Sequence, residues 1–142
     1  MRRRLRAAAR GEDGSVLPLT LGYAALALIA VFVCVDATSL YLGQKRLDAL
    51  ADAAALAGAD GFTLALIGGE PVAELTDAAV HAQASALVGA VGGTAVLISA
   101  VTPDGVSARV TVADDWRPPI LTVFAPDGVP LESTATSRTA LR

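Results

Sequence analysis

The chain has 142 residues, enough for one compact domain, and 54% of them are hydrophobic whereas 18% are charged, a balance too apolar for intrinsic disorder. A single cysteine, Cys34, and a single histidine, His81, exclude a disulfide framework, a zinc cage and a Cys/His cluster within one chain. The formal net charge of −3 combines five arginines within residues 1–14 with an excess of acidic residues from Asp36 onward, which argues against a nucleic-acid-binding surface on the folded part.

The first predicted element is an uncharged run of 21 residues from Ser15 to Val35, SVLPLTLGYAALALIAVFVCV. As a helix it would be about 31 Å long, which matches the hydrocarbon core of a bilayer. A signal peptide has an apolar region of only about 7–15 residues that ends in small residues, and a chain of this size cannot surround such a helix on every side. We therefore expect a retained transmembrane helix over residues 15–35, with cleavage or lipidation as the alternative.

Basic residues predict the orientation of this helix. Five arginines lie in the expected leader of residues 1–14, whereas only Lys45 and Arg46 follow the apolar run within a dozen residues. By the positive-inside rule the N-terminus is expected in the cytoplasm. The predicted localisation is the cell membrane, with a single pass and an extracytoplasmic C-terminal domain.

The helix is predicted to continue through residues 36–60 as an amphipathic extension, because no helix-stopping residue occurs before Gly58. Leucines and small residues recur on one side, and Lys45, Asp48 and Asp52 on the other. Small residues let another backbone approach closely, so we expect them to form a helix-packing interface with either the protein's own sheet or another chain. Its members are Ala51, Ala54, Ala55, Ala57 and Gly58.

Residues 61–142 are predicted to form a small extracytoplasmic head. GGEP at 68–71 breaks the chain. Residues 71–93 then have helical periodicity and end in a glycine pair, which predicts a second helix.

Beyond that helix the hydrophobic period changes to two. TAVLISAVT (94–102) and VSARVTVAD (106–114) flank a Pro-Asp-Gly turn, which is typical of a β-hairpin. ILTVF (120–124) and LESTATSRTAL (131–141) are two further strand candidates, and the last has small and polar residues on both faces, as at a sheet edge. The predicted fold class is α+β, with a long N-terminal helix, a second helix and a small antiparallel sheet of three or four strands.

Asp36 and Trp116 are candidate partner contacts. Asp36 lies where the apolar run ends, and its carboxylate either pairs with a partner helix in the membrane or reaches interfacial water. Trp116, on the proline-stiffened segment DDWRPP, either anchors a partner, covers the small core or lies at the membrane surface. His81 follows Asp77 by one turn, but no GxSxG or comparable nucleophile motif accompanies them. We expect no enzymatic activity, no metal, no cofactor and no small-molecule substrate.

Several motifs together resemble a known family. They are the Gly14-Ser15 pair before the apolar helix, Asp36 after it, and the runs KRL (45–47) and DAAALAG (52–58). Together with the basic leader and the small head, they resemble the pilin architecture. More narrowly, residues 11–59 look like the N-terminal segment of the TadE/TadG-like minor pilin family of Flp (Tad) pilus assembly systems, particularly its actinobacterial members.

This resemblance implies a membrane-anchored structural or assembly component of a pilus or related secretion system, which acts by helix packing and contacts other pilins or Tad-system membrane proteins. It also makes the bond between Gly14 and Ser15 a candidate processing site. Pilins matured by a prepilin peptidase carry Glu at the fifth mature position, where this sequence has Leu19, so we expect an uncleaved protein. The alternative function is a membrane-anchored extracytoplasmic binding module, which would use the Trp116 loop to bind a ligand or cell-envelope polymer.

Overall fold

A computed structural model describes residues 16–139 of the protein. The basic leader, the candidate processing site Gly14–Ser15 and the last three residues lie outside the described residues. The elements in chain order are α1 (Val16–Ala59), β1 (Thr63–Ile67), β2 (Glu70–Glu74), α2 (Asp77–Val91), β3 (Val96–Val101), β4 (Ser107–Trp116) and β5 (Val129–Arg138). The predicted α+β class, with a long apolar N-terminal helix and a second helix, is confirmed.

Helix α1 runs unbroken for 44 residues. Pro18 lies in its first turn, where the missing N–H removes no helical hydrogen bond. Residues 16–35 are exposed except for Phe32, which is half-buried. The C-terminal half instead packs into the head and buries small and aliphatic residues, Leu47, Ala51, Ala54, Ala55, Gly58 and Ala59.

The head is built on a three-stranded antiparallel sheet in the order β3-β4-β5. Central strand β4 contributes three fully buried side chains to the core, Ala108, Val110 and Val112. They alternate along the strand, as expected when one face of a sheet is covered, and α1 and α2 supply the covering layer. The predicted hairpin around the Pro-Asp-Gly turn is confirmed, and β5 lies at an edge of the sheet.

The second helix is shorter than predicted. Residues 70–74 form strand β2, which pairs with β1 through a turn at Gly68 and Gly69, and both glycines have positive φ angles of 65° and 88°. A two-residue Gly-Gly turn of this kind matches the twist of a hairpin, so the segment continues as a strand instead of starting a helix. Helix α2 begins only after Thr76, whose hydroxyl accepts a hydrogen bond from the Ala79 N–H (3.2 Å).

The predicted strand at 120–124 is also wrong. This segment lies in the connection between β4 and β5, which contains turns and no strand. Strand β5 pairs directly with β4, from Val129 opposite Trp116 to Arg138 opposite Ser107. The amides of Ile120 and Leu121 bind a side chain of α1 instead of a neighbouring strand.

Candidate functional site at the junction of helix and head

The N-terminal half of α1 is an exposed apolar surface. Its most apolar window has a mean hydropathy of 2.3 and is 0% buried. Leu17 and Leu21 are 76% and 70% exposed, respectively. Twenty helical residues span about 30 Å, so this helix is long and apolar enough to cross a membrane.

Asp36 ends this surface and joins the helix to the head. Its side chain is buried, and the carboxylate accepts hydrogen bonds from the backbone N–H groups of Ile120 (3.2 Å) and Leu121 (3.1 Å). Hydrogen bonds to a charged acceptor are stronger than those between neutral groups. The sequence suggests that the Asp36 carboxylate either pairs with a partner helix or reaches interfacial water. In the structure its hydrogen-bond partners instead belong to the connection between β4 and β5 of the same chain.

Trp116 forms a second contact between the head and α1, one helical turn after that of Asp36. Its indole N–H donates to the Ser39 hydroxyl (3.1 Å), and the half-buried ring lies against Gly43. A Cβ atom added at Gly43 would lie 3.3 Å from Trp116 Cδ1, so the absence of a side chain allows the ring to approach the helix. The ring therefore holds the end of β4 against α1.

Asp48 forms a third contact, between α1 and strand β5 of the head. It accepts hydrogen bonds from Gln44 (3.0 Å), Ser133 (2.8 Å) and Lys45 (3.2 Å). Of these, the hydrogen bond from Gln44 does most to lower the pKa of Asp48 below its ordinary value, followed by those from Ser133 and Lys45. The sequence pattern predicts Asp48 on the side of α1 opposite the packing face, which is wrong because β5 presents small polar side chains to which the carboxylate can bind.

The stripe of small residues on α1 packs against the chain's own head. Ala51, Ala54, Ala55 and Gly58 are buried, and Ala57 is half-buried. A Cβ added at Gly58 would lie 3.0 Å from Val80 Cγ1 in α2 and 3.2 Å from the Ala108 Cβ in β4. Of the two packing partners considered from the sequence, the chain's own elements occupy this surface.

Asp77 and His81 of α2 have different surroundings in the structure. His81 is exposed, and the Asp77 carboxylate accepts a hydrogen bond from the Thr102 N–H (2.7 Å). Within residues 16–139, no three His, Cys, Asp or Glu side chains lie where they could together hold a metal ion. Cys34 is exposed on the apolar half of α1.

Residues 14–61 match the family "Putative Flp pilus-assembly TadE/G-like". The match covers about a third of the chain and includes all of α1, both the exposed apolar half and the half packed into the head. The resemblance of residues 11–59 to the TadE/TadG-like family is thereby confirmed at the level of the family, and the chain is similar to these proteins over its N-terminal helix. No curated protein and no solved structure matches it significantly.

Sequence reasoning missed that the packing face of α1 begins with polar residues. Asp36, Ser39 and Gly43 are three and four positions apart, in register with the buried Leu47. The helical period therefore contained the signal. A hydrophobic pattern does not reveal this spacing, because it assigns polar residues such as Asp36 and Ser39 to solvent.

Proposed function

We propose that the protein is a membrane-anchored, minor-pilin-like component of a Flp/Tad-type pilus or a related secretion system, which acts by protein contacts and catalyses no reaction. The observation that carries this proposal is the continuity of α1. One unbroken helix supplies both an exposed apolar segment of bilayer length and part of the core of the head. The family match covers this same helix.

The arginines of residues 1–14 support a cytoplasmic N-terminus, and the head would then be extracytoplasmic. The exposed apolar residues 16–35 are the surface we propose for lipid and for helices of other Tad-system membrane proteins. Since the small-residue stripe is covered by the head, we assign it to intramolecular packing. Asp36 and Trp116 are proposed to act as positioning residues that hold the head at a fixed angle to the helix.

The alternative binding-module function depended on an accessible Trp116. Its indole N–H binds Ser39 and its half-buried ring packs on Gly43, so the part of the side chain that faces the helix is occupied within the chain. We therefore favour assembly through the membrane helix.

Photo-crosslinking in cells tests this proposal. A crosslinking amino acid is placed at Leu21 or Leu28, which lie two turns apart on one exposed face, and at the exposed Asp52 as a control outside the apolar segment. We expect adducts with pilus or Tad-system membrane proteins from the two apolar positions in cells that express the apparatus. An identical adduct pattern in cells that lack the apparatus would contradict an assembly role.

A further inference from the structure

The connection between β4 and β5, residues 117–128, is held beside the point where the apolar half of α1 ends. Asp36 is the first charged residue after the apolar run, and its carboxylate binds the amides of Ile120 and Leu121. If residues 15–35 span the bilayer, these two bonds place the connection at the boundary between lipid and water. The position follows from hydrogen bonds within the chain and needs no assumption about a partner.

The connection presents apolar side chains at this level. Val123 and Phe124 are 85% and 83% exposed, respectively, and Ile120 is 39% exposed. The Phe124 N–H donates to the Leu121 carbonyl (3.0 Å), which closes a turn that carries these side chains outward. Transfer of a Phe or Val side chain from water to an apolar phase is favourable, so exposed side chains of this kind favour contact with lipid.

The apolar half of α1 is itself partly covered on this side. Phe32 lies one turn before Asp36 on the same face and is the one residue of the described span 16–35 that is not exposed. The flanking Arg117 and Asp127 are exposed and of opposite charge, as expected for residues that stay in the headgroup region.

We propose that residues 120–124 insert into the outer leaflet beside α1, so that the protein contacts the bilayer at two points. This inference rests on the membrane anchor of the proposed function. The occupant of the apolar surface is the boundary between headgroups and acyl chains, which is continuous with the lipid around residues 16–35. A single helix can rotate about its own axis in a bilayer, whereas a second contact on one side fixes its rotation and the orientation of the head.

Spin-label depth measurements on the full chain test the insertion. Cys34 is replaced by Ala, and single cysteines are introduced by Val123→Cys in the turn, Leu26→Cys in the apolar helix and Val101→Cys as a matched control. Val101 pairs with Arg109 next to the buried Ala108, which contacts α1 near Gly58, about 33 Å along the helix from Asp36. In phosphatidylcholine vesicles, the ratio of oxygen to nickel-chelate accessibility should be high at positions 26 and 123 and low at position 101.

The outcomes separate this inference from the anchor. A ratio at 123 as low as that at 101, with a high ratio at 26, would overturn insertion of the turn and leave the anchor in place. A low ratio at 26 would overturn the anchor and the insertion together. Phe124→Glu should lower the ratio at 123 toward that at 101, whereas Leu66→Glu, at another exposed apolar position (78% exposed), should leave it unchanged. If both variants have the same effect, the apolar turn is not the membrane contact.

Discussion

Removal of the Asp36 carboxylate should release the β4–β5 connection from α1. The side chain is 5% exposed and accepts two backbone hydrogen bonds, at 3.2 Å and 3.1 Å. A hydrogen bond to a charged group contributes about 1.5–3 kcal/mol, so the two bonds could supply up to about 6 kcal/mol. The freed amides lie in a surface loop where water can reach them, so we expect Asp36→Ala to lower the free energy of unfolding by about 2–3 kcal/mol.

The assay uses Trp116, the only tryptophan, which lies against α1 next to this connection. Urea unfolding of the full chain in lipid nanodiscs is followed by its fluorescence. Asp36→Asn keeps the side-chain size and one acceptor oxygen, and we expect it to lose about half as much stability as Asp36→Ala.

The matched control is Asp52→Ala, which removes an exposed carboxylate from the same helix. Surface substitutions of this kind change stability by about 0.5 kcal/mol or less. If Asp36→Ala destabilises the protein no more than Asp52→Ala, the carboxylate does not fasten the head to the helix.

Two further predictions concern the head. The side-chain hydrogen bond from Gln44 is the main cause that lowers the pKa of Asp48 below its ordinary value of 3.8, and that from Ser107 is the main cause for Asp104. The stability these carboxylates contribute is complete only about one pH unit or more above 3.8, and it is lost as the pH falls through the folded pKa values. The urea midpoint should therefore decrease between about pH 5 and about pH 3, and less so in the double variant Asp48→Asn, Asp104→Asn; equal decreases would contradict these assignments. Gly58→Ala should destabilise the head by about 1–3 kcal/mol, because the added Cβ would lie 3.0 Å from Val80 Cγ1. Gly89→Ala should stabilise α2 by up to about 1 kcal/mol, because a Cβ added there has nothing within 4 Å and Ala favours the helix. Urea titrations that rank the two variants in the opposite order would disprove the close packing at Gly58.

The elements predicted correctly are those with local signals. The uncharged run and the uninterrupted helical period after it indicated α1, and the Pro-Asp-Gly turn between two alternating segments indicated the β3–β4 hairpin. In both cases the residues that decide the structure are neighbours in sequence. The family resemblance has the same origin, since its motifs lie within residues 14–58, in α1 or directly before it in the sequence.

The errors arose where distant residues decide the structure. ILTVF at 120–124 has strand composition, yet its first two amides bind Asp36, which lies more than eighty positions earlier. Asp48 is polar and was assigned to solvent, but its orientation depends on Ser133 of β5. The Gly68-Gly69 turn was interpreted as a break before a helix, because the pairing of residues 63–67 with 70–74 is not visible in either segment alone.

Because α1 supplies part of the core, the boundary of the folding unit does not coincide with the end of the helix. In the described core cluster of thirteen buried residues, five belong to α1: Leu47, Ala51, Ala54, Ala55 and Ala59. A soluble fragment that starts after α1 would expose the opposing faces of α2 and β4 and should aggregate. A fragment that starts at Asp36 retains this core and the three contacts that Asp36, Trp116 and Asp48 make between the helix and the head. Water-soluble versions of the head should therefore begin at Asp36.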